Sequence, residues 1–192
     1  ENCRKFGLTP VVAINHFETD SAEEISYVQN RCEQLGVKAV LCKGWASGGE
    51  GMKEMAEAVV SNIESGINRF KPLYYWKMPV EEKIRTIARE IYGADDVEYS
   101  PKARMGLELI KKLGFDGLPV CMAKTQKSFT DNEAKIGRPR NFIVTVREFE
   151  YAAGAGFVIP ILGDMMRMPG LPPTPVAEGM DIDSEGKISG LS

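Results

Sequence analysis

Gly44 and Gly49 have the G-x-x-x-x-G spacing of a phosphate-wrapping loop, placed where the apolar run 37–42 (VKAVLC) gives way to a helical pattern. At such a strand-to-helix crossing, backbone N–H groups are free and glycines let a ligand approach the main chain. The lysine that should follow is Glu50, however, and no Ser or Thr comes after it. A carboxylate aimed at a triphosphate repels it, so the loop is expected to bind something other than phosphates. Trp45, inside the loop, suggests a flat ring. Phe17 follows an earlier apolar run, 10–15 (PVVAIN), just as Trp45 follows its own. If the two runs are neighbouring strands of a parallel sheet, both end on one edge, where Phe17 and Trp45 could face each other across a gap about one aromatic ring wide. The plainer reading makes them covering residues at the rim of a core. Glu50 also has two readings. A carboxylate near a helix start is favoured by the helix dipole alone; the functional version has it hydrogen-bonding a ring nitrogen or amine of the clamped ligand.

Other candidates are weaker. His16 reads as a strand-end polar residue, and no Ser-His-Asp or Cys-His set can be assembled around it. Ser47 does not fit a G-x-S-x-G elbow. The tail DIDSEGK has Asp181, Asp183 and Gly186 at calcium-loop positions but Glu185 and Ser192 where other ligands belong, and a hairpin turn explains it better. AAGAG (152–156) does not complete a dinucleotide fingerprint, since position 159 is Ile. Lys124 and Thr125 end an apolar run and could approach a phosphate, although solvation is the commoner fate. Arg138, Pro139, Arg140 and Asn141 lie in a long loop, which in a compact domain is often functional. The four cysteines, Cys3, Cys32, Cys42 and Cys121, form no C-x-x-C pair, and one histidine cannot complete a zinc site. No metal ligand set is expected, and buried thiols in a reducing cytoplasm fit the cysteines.

The elements that must position these residues follow from periodicity. After PVVAIN, Asp20 with Glu23 forms a capping-box pattern, and Ser21 with Glu24 offers a second register. Ile25, Val28, Cys32 and Leu35 recur at helical spacing up to Gly36, and Met52, Met55, Val59 and Ile63 do so after the glycine loop. The order β-α-β-α with short connections predicts parallel strands and right-handed crossovers. An aromatic, aperiodic stretch at 66–79 marks a boundary. Helices are expected at 79–92 and 100–113, and strands at 118–123, 142–151 and 157–162, with a β-hairpin at 180–190. The expected fold class is α/β: a parallel-sheet βαβα unit at 1–66, a connector at 67–79 and a smaller α+β subdomain at 80–192. With 192 residues, 43% hydrophobic and 27% charged at net charge −3, the chain can bury a sizeable core. Its mixed charges show no nucleic-acid stripe or membrane patch, and the longest apolar run is too short to span a bilayer. A start at Glu1 without a methionine suggests a piece of something longer.

Five blocks spread along the chain, VVAINHFETD, KGWASGGEG, LPVCMAKTQKSFTD, GRPRNFIVTVRE and AAGAGFVIPILGDMMRMPGLPPTP, strongly resemble the C-terminal part of formate–tetrahydrofolate ligase. The resemblance implies ATP-dependent formylation of tetrahydrofolate by formate, through formyl phosphate, to give 10-formyltetrahydrofolate, ADP and phosphate. It implies a fragment of a P-loop-type ligase, inactive alone, that lacks the N-terminal domain carrying the phosphate loop. Magnesium with ATP, a monovalent cation, a cytoplasmic location and a homo-oligomeric parent come with it. By position, Phe17 and Trp45 match the family's folate-sandwiching aromatics and Leu41 an apolar wall beside them. The loop around Arg138, Pro139, Asn141 and Phe142 resembles the adenine side. The alternative is a stand-alone doubly wound ligand-binding or regulatory module without catalysis.

Overall fold

The computed structural model describes residues 1–163, 173–186 and 188–190. A short helix α1 (Asn2–Lys5) precedes β1 (Val11–Asn15), α2 (Ala22–Gln34) and β2 (Lys38–Cys42). β1 and β2 pair in parallel, from Val11 opposite Lys38 to Asn15 opposite Cys42. The capping box that starts α2 uses the second of its two possible registers. The Ser21 hydroxyl accepts from the Glu24 N–H, and the Glu24 carboxylate accepts from the Ser21 N–H. Asp20 is not the cap because its carboxylate accepts the Phe17 N–H at 2.8 Å instead. Beyond β2 come a one-turn helix α3 (Gly44–Ser47), a 3₁₀ turn (Glu50–Met52) and α4 (Lys53–Glu64). A small core of Val40, Cys42 and Ala58, flanked by Val11 and Met55, holds α4 to this strand pair.

The second part is built from α5 (Val80–Ile87), β3 (Asp96–Tyr99), α6 (Pro101–Lys112), β4 (Ile143–Ala152) and β5 (Phe157–Leu162). The helix expected at 79–92 changes character midway: α5 runs into a π turn (Ala88–Tyr92) that ends at left-handed Gly93. β3 pairs with β4 in parallel and β4 with β5 antiparallel. The chain is thus mixed α/β, with a parallel pair in each of these two sheets. β3 was not expected from the sequence, because Asp and Glu are poor strand formers and fill half of its four residues. The expected strand at 118–123 is reduced to isolated parallel bridges, Val120 with Val158 and Ala123 with Ile161. Pro119 has no N–H to give a ladder. The tail hairpin forms as β6 (Asp181–Ile182) and β7 (Ile188–Ser189). Most of the MPGLPPTP run lies outside the described residues. Among the described residues no helix is long and apolar enough to cross a membrane.

The second part is not the lesser one in packing. Its core joins Val80, Ile84, Ala88, Leu107, Ile110, Val144, Val146, Phe149, Val158 and Leu162, far more than the cluster around Val40. Gly106 lets α6 close on β4, since a Cβ there would stand 2.7 Å from a Phe149 ring carbon. Ser100 caps α6 through the Ala103 N–H and donates its own hydroxyl to the Arg147 carbonyl, at a bulge of β4 between Val146 and Glu148. Lys83 is fully buried in this apolar setting. Its ammonium donates to the carbonyls of Asp116, Gly117 and Leu118 at 3.4, 2.9 and 2.9 Å, which satisfies a turn that has no ladder partners. The two parts are sewn together at the start of the chain. Asn2 donates to the Ile91 carbonyl, Lys5 pairs with Glu90, and the Phe6 and Phe70 rings stack at 6.4 Å.

The thiols are unpaired, and only Cys42 is buried; Cys121 and Cys3 are exposed and Cys32 is half-buried. The expectation of buried thiols therefore fails for Cys121: it sits where the Pro119 segment runs as an edge with one face to solvent.

Two substitutions separate a satisfied buried polar group from an orphaned one. Lys83→Met leaves three carbonyls without a donor and should lower stability by about 2–4 kcal/mol in chemical denaturation. The Tyr99 hydroxyl is buried without a hydrogen-bond partner among the described residues, so Tyr99→Phe should leave the melting temperature unchanged or raise it.

Candidate functional site

The parallel register decides where the first set of residues ends up. Because Asn15 lies opposite Cys42, the chain leaves both strands on the same edge, Phe17 after β1 and Trp45 after β2. Phe17 is 49% exposed and Trp45 77% exposed, so neither ring is spent on the core. Phe17 is anchored through its backbone. The Phe17 N–H donates to the Asp20 carboxylate, and the Asp20 N–H returns to the Phe17 carbonyl at 3.0 Å. The His16 N–H donates to the Cys42 carbonyl at 3.0 Å, tying the exit of β1 to the end of β2. His16 does nothing further in the hydrogen bonding described.

The glycine loop is closed by its own main chain. The Lys43 N–H donates to the Gly51 carbonyl at 3.0 Å, while Ser47 and Gly48 donate back to Lys43 and Gly44. Gly48 takes φ +56°, ψ −139°, a conformation closed to ordinary side chains. A Cβ on Gly51 would lie 2.4 Å from the Lys43 carbonyl oxygen. These constraints explain Gly48 and Gly51 without any phosphate, while a Cβ at Gly49 would meet nothing within 4 Å. Leu41, Lys43, Ser47, Glu50, Gly51 and Glu54 line an open cleft of about 370 Å³ beside this loop. Glu50 begins the 3₁₀ turn, and its carboxylate has no hydrogen-bond or ion-pair partner among the described residues. Leu41 and Glu50 line this cleft, whereas Phe17 and Trp45, which leave the same sheet edge, are not among its lining residues. Exposed rings on that edge can stack on a planar molecule, and a carboxylate without a partner can accept from a donor.

The second set separates. Arg138 and Pro139 line a cleft of about 620 Å³ together with Arg140, Arg89, Tyr92 and Phe129. Arg138 is bidentate to Glu1, at 2.9 Å and 2.5 Å. Arg140, its neighbour, has no partner among the described residues. Asn141 takes φ +55°, the left-handed turn that carries the chain into β4. Phe142 is a correction: it is 5% exposed inside the main core, and its carbonyl accepts the Asp95 N–H at 2.8 Å. It starts the inward alternation of β4 with Val144 and Val146, and its ring has no face for a ligand.

The sequence reading missed Tyr92, Phe129 and the role of Lys124. Lys124 is not a solvated surface lysine. Its ammonium donates to the Thr125 carbonyl at 2.9 Å and to the Ser128 carbonyl. It also lies 5.0 Å from the Tyr92 ring centroid and 6.0 Å from that of Phe129. Burial lowers its pKa, opposed by the Asp131 carboxylate nearby. Burial likewise pushes the Tyr92 hydroxyl up to about 12. No group of three or more His, Cys, Asp or Glu side chains gathers to hold a metal among the described residues.

A chain of mixed α/β fold with two exposed rings leaving a parallel-strand edge, where α/β proteins commonly bind ligands, and a separate cationic cleft falls in the class of ligand-binding α/β proteins. A family model described as formate–tetrahydrofolate ligase matches residues 1–192, and the chain belongs to that family. Membership implies formate–tetrahydrofolate ligase function, with ATP and tetrahydrofolate as substrates.

Two outcomes test the geometry. Gly51→Ala should force the Lys43–Gly51 closure apart and cost about 1–3 kcal/mol of stability by thermal unfolding, as backbone clashes do. The raised Tyr92 pKa fixes a sign as well. The hydroxyl ionises sooner in the unfolded chain than in the folded one, so its stabilisation is full below about pH 10 and falls away as pH rises towards about 12. Tyr92→Phe should flatten the alkaline decline in urea midpoint over that interval.

Proposed function

We propose that this chain supplies the tetrahydrofolate clamp and part of the nucleotide wall of an ATP-dependent ligase that makes 10-formyltetrahydrofolate. The observation that carries the reading is the pair of exposed rings, Phe17 and Trp45, leaving adjacent parallel strands on one edge. Two aromatic faces suit a pterin or aminobenzoyl ring, at roughly 1–3 kcal/mol per stacked ring by analogy with bases. Leu41 walls the slot, and Glu50 offers its free carboxylate to a ring nitrogen or amine. The second cleft, bordered by Arg138 and Pro139 with Asn141 next in the chain, takes the adenine end of ATP. Arg140, Tyr92 and Phe129 join them there, and Phe142 does not.

The chemistry divides the labour. A formate oxygen takes the terminal phosphoryl group of ATP, forming an O–P bond and releasing ADP. The folate amine then attacks the formyl carbon, the C–O bond to phosphate breaks, and the amine proton leaves with phosphate or solvent. Both steps need phosphate charge neutralised, and the second needs the acyl phosphate held beside the amine. The glycine loop carries Glu50 in place of the phosphate-binding lysine, so that duty falls to a P-loop domain upstream in the same polypeptide. On this reading the 192 residues alone are inactive, the working enzyme is a cytoplasmic homo-oligomer, and magnesium and a monovalent cation act outside this chain's own ligands. Family membership disfavours the rival, a stand-alone binding or regulatory module.

Tetrahydrofolate binding to the complete ligase, measured by calorimetry, tests the clamp. Phe17→Ala and Trp45→Ala should each raise the dissociation constant about tenfold or more, the scale of one lost stacked ring. Unchanged affinity in both variants would refute it.

A further inference from the structure

The cleft bordered by Arg138–Arg140 has two aromatic residues in its lining, Tyr92 and Phe129, and these come from distant parts of the chain. Tyr92 ends the π turn after α5, and Phe129 sits in the polar loop between the 118–123 segment and β4. No ring-on-ring contact between them is needed to hold them in place, because one group reaches both. The Lys124 ammonium lies 5.0 Å from the Tyr92 centroid and 6.0 Å from the Phe129 centroid. Yet Lys124 is not among the residues lining the cleft. It stands behind the wall rather than in it.

The loop that carries Phe129 is organised around the same lysine. Lys124 donates to the Thr125 and Ser128 carbonyls and so closes the turn that presents Phe129. Buried hydroxyls continue the lattice. Ser128 and Thr130 are 3.0 Å apart, Ser128 donates to the Lys135 carbonyl, and Thr130 donates to the Asn132 carbonyl at 3.0 Å. Asp131 then accepts the Thr145 N–H on β4 at 2.9 Å, fixing the loop to the main sheet. A cation over an aromatic face is directional enough to set the ring's position, and in a desolvated setting it resists displacement. A methionine of similar length would fill the space and hold neither the carbonyls nor the rings.

We infer that Lys124 is a positioning residue for the nucleotide-side cleft, acting through Tyr92 and Phe129 and not by touching the ligand. The inference rests on the reading that this cleft takes the adenine end of ATP. Its test uses the complete ligase and three readouts: affinity for a non-hydrolysable ATP analogue, affinity for tetrahydrofolate, and melting temperature. Lys124→Met should weaken the analogue about tenfold, the scale of one lost charge-assisted hydrogen bond, and leave tetrahydrofolate within about twofold. Unchanged analogue binding, or equal weakening of both ligands alongside a fallen melting temperature, overturns it. If Lys124→Met does not fold, Phe129→Leu keeps the lysine's carbonyl bonds and should give the same selective loss; no loss there overturns it equally. Arg140→Ala separates the two levels. If Arg140→Ala leaves analogue affinity intact, the cleft is not the nucleotide site and both readings fall. If it weakens the analogue while Lys124→Met does not, only the positioning role falls.

Discussion

The parallel pairing of β1 with β2 is the constraint on which the proposed folate side depends. Antiparallel strands would send the two exits to opposite edges, and a slip of one residue would turn the side chains of one strand over. With Asn15 opposite Cys42, the residues that follow both strands emerge together. The helix α2 is the crossover that joins the two strands in parallel, and the small core of Val40, Cys42 and Ala58 holds α4 to the pair. Local hydrogen bonds finish the positioning: Asp20 holds the backbone of Phe17, and Gly51 holds that of Lys43, just before Trp45.

In the second part irregular loops are held by lysine ammonium groups, fully buried in Lys83 and half-buried in Lys124. Lys83 satisfies the carbonyls of a turn at residues 116–118, and Lys124 satisfies those of a turn at 125–128. Each lysine replaces the ladder partners that the backbone lacks there. An apolar residue in either place would leave carbonyls buried and unpaired, at a cost that packing could not return. Burial lowers the pKa of both lysines, with Asp116 and Asp131 opposing it.

Much of the fold can be read from periodicity. The alternation of Phe142, Val144 and Val146 marks β4, and the Ser100-Pro101 start marks α6, because both signals are local and match the final environment. β3 escapes because its Asp-Val-Glu-Tyr sequence is stabilised by pairing with β4, far along the chain, and not by its own propensity. Phe142 was assigned to the ligand because a loop residue and a strand residue share one sequence neighbourhood; only the register shows it turned inward. Lys83 did leave a trace, a charged residue on the helical face of Val80, Ile84 and Ile87, where the spacing demands burial. The place of Lys124 between two rings depends on long-range packing and left none. Phe17 and Trp45 were legible because the βαβα order alone fixes their common edge.

The central claim is that the ring at position 45 lies against tetrahydrofolate in the working enzyme. The direct measurement is collisional quenching of Trp45, made the sole tryptophan of the complete ligase, by acrylamide with and without saturating tetrahydrofolate. The account predicts a ring open to acrylamide in the free protein, as its 77% exposure requires, and shielded once the folate binds. A ring equally open in both states would contradict it.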